Sequence, residues 1–110
     1  MQVDIREDGG IVFIEPVGDI DGKTAPEFHD TVLNAVKPKA RIVMNLNRVA
    51  FMSSAGLRSM LLIYRVAKSK DAKVVLTGVN KDILGSMSAT GFLAFFVIGD
   101  SVQDAISRMD

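Results

Sequence analysis

At 110 residues, with 48% hydrophobic and 24% charged residues, the chain carries enough apolar content for one core and is far from the composition of disordered sequences. Thirteen Lys/Arg balance thirteen Asp/Glu and are scattered, so there is no basic stripe to neutralise a run of nucleic-acid phosphates. The absence of cysteine removes disulfides, zinc–thiolate sites and thiol nucleophiles together, and suits a reducing compartment.

The start, MQVDIREDGG, lacks a basic segment followed by an apolar one, and no apolar run approaches a membrane span. A soluble, cytoplasmic protein of one domain, residues 1–110, is expected. VDI and the run IVFIEPVG predict two antiparallel strands, since Asp8-Gly9-Gly10 between them supplies residues that tolerate the positive φ of a tight turn. In DIDGKTAPEF, Thr24 reads as a helix N-cap, with Pro26 in the first turn and Glu27 closing a capping box. Phe28, Val32 and Val36 then recur along a helix that must stop before Pro38.

RIVMNLNRV predicts a third strand, with Ile42, Met44 and Leu46 on one face and Val43, Asn45 and Asn47 on the other. A helix follows from about Ser54 to Lys68, and a fourth strand at roughly 73–77. Asn80 can cap a third helix bearing Ile83, Leu84 and Met87, which Gly91 can end in a left-handed conformation. FFVI predicts a short fifth strand; Ser101 and Asp104 form a second capping box for a last helix that buries Val102, Ala105, Ile106 and Met109. The result is an α/β fold: an N-terminal antiparallel hairpin, then right-handed parallel crossovers. Because strand faces such as Val43/Asn45 are only half apolar, the helices should crowd mainly onto one side of the sheet.

Catalytic and metal-binding patterns are missing. His29 is the single histidine and reads as a surface helix residue, Asp19 and Asp21 are the only close acidic pair in a loop, and two acids are too few for a metal site. There is no Gly-x-Ser-x-Gly elbow, phosphate-binding glycine loop or dinucleotide fingerprint, so no enzyme activity, metal or cofactor is expected. The informative stretch is FMSSAGLRSM, residues 51–60, which sets two serines among small residues at a helix start. A serine there can be an N-cap, and Ser54 is assigned that place; it can also be a hydroxyl open to another protein, where an added phosphate would lie in the positive field of the helix dipole. Gly56 gives up helix stability, which suggests that a partner's backbone or a nucleotide phosphate approaches it closely; the plain alternative is close packing inside the fold. The following MLLIYRVA is apolar over more of its circumference than one sheet contact needs.

Taken together, RIVMNLNRVAFMSSAGLRSMLLI, VGDIDGKTAPEF and GVNKDILGSMSATGFLAFFVIGDSVQDAI resemble the STAS domain family, and among its members the bacterial anti-sigma-factor antagonists. The resemblance covers nearly the whole chain. It implies a STAS-type mixed sheet of about five strands with about four helices, and a binding module without catalysis. It further implies a partner that is both an anti-sigma factor and a serine kinase of the histidine-kinase-like type. The unmodified module would bind this partner and free a sigma factor, phosphorylation would break the complex, and a serine phosphatase would restore it. Aligning Gly56-Leu57 with the family's Gly-Leu puts the phosphoacceptor at Ser54, with Asp21, Ser53, Ala55, Gly56, Leu57 and Arg58 as partner-binding residues. Ser53 stands where many members have Asp, and Asn45 lies in the strand that often carries one. A scaffold module in a larger signalling assembly and a nucleotide-binding STAS protein are the alternative readings.

Overall fold

A computed structural model describes residues 1–109. Strands β1 (Gln2–Asp8) and β2 (Ile11–Val17) pair antiparallel from Gln2↔Val17 to Asp8↔Ile11. Only Gly9 and Gly10 lie between them, at φ 60° and 80°, the two consecutive positive values that a tight hairpin turn demands. Strands β3 (Arg41–Asn45), β4 (Lys73–Thr77) and β5 (Val97–Gly99) then add in parallel, giving the order β1-β2-β3-β4-β5.

The helices are α1 (Ala25–Ala35), α2 (Ser54–Ser69), α3 (Lys81–Ala89) and α4 (Val102–Ser107). Strand alternation divides the apolar residues between two sides. Ile14, Ile42, Met44 and Leu76 pack with Phe28 and Val32 of α1, Met60 and Ile63 of α2, and Ile83 and Met87 of α3. On the opposite side Val43, Val75 and Ile11 meet Ala105 and Met109, so α4 alone covers that face. The expected crowding onto one side therefore holds at three helices against one. No helix among the described residues is long and apolar enough to cross a membrane.

Three local expectations are corrected. Thr24 is in helical conformation and makes no cap bond; its hydroxyl donates to the Asp19 carbonyl (2.8 Å) and accepts from the Asp21 amide (2.9 Å). The chain enters α1 on Asp21 instead, and Glu27 pairs with the amino group of Met1 at 2.8 Å rather than closing a box. The second box is also shifted: Ser101 Oγ accepts from the Asp104 amide (3.0 Å), but the Asp104 carboxylate accepts from Asp100 (2.8 Å), one residue early. Of the residues assigned to that helix's buried face, Ala105 and Met109 are buried and Val102 and Ile106 only half so. Finally, β5 begins at Val97, not Phe95. After Gly91, left-handed as expected at φ 79°, Phe92–Phe95 form one 3₁₀ turn that sets Phe95 and Phe96 against Tyr64 of α2.

Candidate functional site

Two loops meet beyond the C-terminal ends of β2 and β3. Gly18 N–H donates to the Arg48 carbonyl (3.0 Å), Ile20 N–H to Phe51 (3.0 Å) and Ser53 N–H to Ile20 (2.9 Å), around a single parallel bridge between Ile20 and Met52. Ile20 and Met52 turn inward and are buried, and Phe51, next to Met52 in extended chain, turns the other way and is 53% exposed. Asn80 fastens the loop to α3. Its oxygen caps that helix by accepting from the Ile83 amide (2.9 Å), and its Nδ2 donates to the Ala50 carbonyl (3.0 Å).

The bridge delivers the chain to α2 with Ser53 in extended conformation (φ −78°, ψ 178°), and Ser53 is the N-cap. Its Oγ accepts from the Gly56 amide at 3.4 Å, and its carbonyl receives the first helical bond from Leu57 at 2.9 Å. Ser54, expected to be the cap, is instead the first residue inside the helix, exposed, with a hydroxyl that makes no hydrogen bond among the described residues. The first turn of α2 contains no acidic residue to oppose an added negative charge.

The remaining residues assigned from the sequence separate into surface, loop and interior. Ser54 and Ser53 border a shallow groove against α3 with Phe51, Ser86 and Thr90. Ala55 and Arg58 border another, against Pro26 and His29 of α1, with Leu62. Arg58 is exposed, without an ion pair, and one helical turn beyond Ser54. Gly56 and Leu57 lie inside the protein. A Cβ on Gly56 would sit 2.6 Å from Met52 Cγ and 2.7 Å from the Ile20 carbonyl oxygen, so the glycine admits the chain's own bridge rather than a partner's backbone. Leu57, 5% exposed, packs in the main core.

Asp21 follows Ile20 next to Ser53, but its carboxylate is turned onto its own loop. It accepts from the amides of Lys23 (2.9 Å) and Thr24 (3.2 Å), which hold it below the usual carboxylate range. Asn45 is on the α4 side of the sheet, where its Oδ1 accepts from the Asn47 amide at 2.9 Å. Sequence reading missed Phe51. The available signal was a large aromatic two residues before the small-residue run, in a loop where no apolar periodicity requires it.

Comparison with known proteins agrees with this geometry. Residues 2–105 match the STAS domain family. BtrV of Bordetella bronchiseptica, a candidate anti-sigma factor antagonist, is 30% identical over 69 residues; the match covers 63% of this chain and 60% of the relative, so it spans less than two thirds of that protein. The anti-sigma F factor antagonist of Paenibacillus polymyxa is 20% identical over 112 residues, covering 100% of this chain and 96% of the relative. Among solved structures, a Thermotoga maritima protein of the same candidate role has a TM-score of 0.87 at 20% identity, covering 97% of this chain and 93% of that one. The anti-sigma factor antagonist SpoIIAA has been solved in an unphosphorylated form (TM-score 0.77, 18% identity, 97% of this chain and 95% of that one), and the Bacillus SpoIIAA in a phosphorylated form (TM-score 0.72, 18% identity, 99% and 100%). With one family spanning the hairpin, the loop bridge and all but the end of α4, the chain belongs to the STAS domain family.

Proposed function

We propose that this protein is an anti-sigma-factor antagonist switched at Ser54. Its unmodified form binds an anti-sigma factor that is also a serine kinase and thereby frees a sigma factor. The kinase transfers the γ-phosphoryl group of ATP to Ser54 Oγ, the hydroxyl proton passes to a base of the kinase, and ADP leaves. A serine phosphatase hydrolyses the ester and restores binding. The observation that carries the reading is the exposed, unbonded hydroxyl of Ser54 beside an exposed Phe51. The names of the full-length and partial relatives support the partner class.

The geometry gives the switch a physical basis. A phosphate adds about −1.5 to −2 charges and three acceptor oxygens, and at the start of α2 the helix field favours them. The fold accepts the modification while a partner seated over Ser54 and Phe51 meets an unmatched charge, which costs several kcal/mol on desolvation. Arg58, free and one turn away, can turn toward either a partner carboxylate or the new phosphate. The contact surface comprises Asp21, Ser53, Ser54, Ala55 and Arg58, with Phe51 as its apolar anchor.

Binding of the cognate kinase, measured by calorimetry, tests this. Ser54→Asp should lose about tenfold or more in affinity with an unchanged or slightly raised melting temperature. Ser54→Ala should bind normally but fail to be released by ATP, and peptide mass mapping should place one phosphoryl group on Ser54. Phosphate on Ser53, or full affinity in Ser54→Asp, would overturn the assignment.

A further inference from the structure

We propose that β1 is a self-complementary edge through which two copies of this chain pair, joining their sheets antiparallel about a two-fold axis at Ile5. β1 is one end of the sheet, and among the described residues β2 is its only neighbour. In the hairpin, Asp8 and Ile11 flank the two-residue turn and therefore form a hydrogen-bonded pair; alternation makes Arg6, Asp4 and Gln2 the other residues bonded to β2. Pro16 agrees with this phase, since it lies opposite Val3 at a non-bonded pair, where β1 asks nothing of its missing N–H. Val3, Ile5 and Glu7 consequently present N–H and C=O groups outward, and among the described residues no other segment hydrogen-bonds to them.

Charge selects the partner and the register. With Ile5 opposite Ile5 of the second copy, Val3 falls opposite Glu7, and these outward groups can bond mutually. Asp4 then lies directly opposite Arg6, twice over by symmetry, at non-bonded pairs where side chains approach most closely. Sliding the pair by one allowed step in one direction sets Asp4 against Asp4. One step in the other sets Arg6 against Arg6 and Asp4 against Asp8. Both alternatives oppose like charges, so of these three alignments only the first is attractive. Ile5, 43% exposed, would meet its own copy on the side of the sheet that carries α1 to α3, since it lies opposite the core residue Ile14.

The groups involved are free to exchange partners. Asp4 is about half exposed and holds only Gln2 (3.0 Å) and Arg48 (3.8 Å), both at the surface. Arg6 reaches Asp8 at 3.7 Å and lies over the Phe13 ring at 4.2 Å. Two seven-residue strands make a small interface, so the dimer is a weak, concentration-dependent one.

Sedimentation equilibrium up to about 1 mM chain, at low and high salt, should show a monomer–dimer equilibrium weakened by salt. Exchange of the Val3, Ile5 and Glu7 amides should slow as concentration rises. Asp4→Arg alone, or Arg6→Asp alone, should each lower association about tenfold or more, because every Asp–Arg pair becomes a like-charge pair. Mixing those two variants should restore it as a heterodimer, and the double swap should restore the homodimer; circular dichroism checks that each variant is folded. A wild-type chain that stays monomeric at about 1 mM overturns the proposal. So does a dimer that neither single variant weakens, or a mixture that fails to associate.

Discussion

A methyl group added to Gly56 would lie 2.6 Å from Met52 Cγ and 2.7 Å from the Ile20 carbonyl oxygen, and the second of these is backbone that cannot swing aside. Alanine usually gains about 0.5–1 kcal/mol over glycine in a helix, but overpacking against a fixed bridge costs roughly 1–3 kcal/mol and outweighs it. Gly56→Ala should therefore lower the melting temperature, the opposite of what helix propensity alone predicts. The two serines separate in the same assay. Ser53→Ala removes the N-cap and should cost about 0.5–2 kcal/mol, whereas Ser54→Ala touches no hydrogen bond and should leave denaturant midpoints nearly unchanged. Equal losses in the two variants would mean that the cap is shared. Sequence reading found the helix start but put the cap one residue late. Ser-Ser offers two identical hydroxyls, and only the extended backbone at Ser53, imposed by the Ile20–Met52 bridge, decides between them.

At the scale of elements, an aspartate accepts from backbone amides at the start of α1 and from one backbone amide at the start of α4. The amides of Lys23 and Thr24 lower the titration of Asp21; the amide of Asp100, then the side chain of Arg108 at 2.9 Å, lower that of Asp104. Both groups titrate lower in the folded chain than their ordinary value of 3.8, so the unfolded chain takes up protons first as acid is added. Their stabilisation is complete above the ordinary aspartate range and is lost as pH falls through the folded values. Asp21→Asn and Asp104→Asn should each melt below the wild type at neutral pH, with gaps that narrow on acidification to about pH 2. A gap that stays constant with pH would assign the loss to shape instead of charge. Neither arrangement was legible as such. Glu27 and Asp104 carry the capping-box spacing, but Glu27 is drawn to the Met1 amine and Asp104 to the amide one residue ahead of Ser101, and spacing records neither competitor. Asn80 had no rival for its helix, and there the expected cap formed.

Over the whole molecule the sheet is protected unequally. One side is closed by α1, α2 and α3 through large side chains such as Phe28, Met60 and Met87; the other depends on a six-residue helix that buries only Ala105 within its length, with Met109 just beyond. Local opening costs less where fewer apolar groups are withdrawn from water. Amides of α4 should therefore exchange well before those of α2 under native conditions, and α2 should exchange with global unfolding. Simultaneous exchange would show that α4 is integral to the cooperative unit. This asymmetry was readable in outline because Ile42/Met44/Leu46 and Val43/Asn45 alternate so unevenly, and the antiparallel hairpin followed by parallel strands was readable from the alternation of elements. The 3₁₀ turn at Phe92–Phe95 was not, because Phe95 and Phe96 satisfy a strand pattern until Tyr64 of α2 is close enough to stack on them.

Dividing the cap from the candidate acceptor also bears on how such a protein can change over generations. Since Ser53 holds the helix and Ser54 holds nothing, residue 54 can mutate without putting the fold at risk. A lineage could trade the hydroxyl for alanine and gain a permanently engaged antagonist, or for aspartate and gain a permanently released one, each by a single substitution that folding would not select against. Residue 53 is restricted to side chains that can cap the helix. Under the proposed switch, adjacent positions of identical chemistry are thus exposed to different kinds of selection, one for keeping the molecule whole and the other for deciding when it acts.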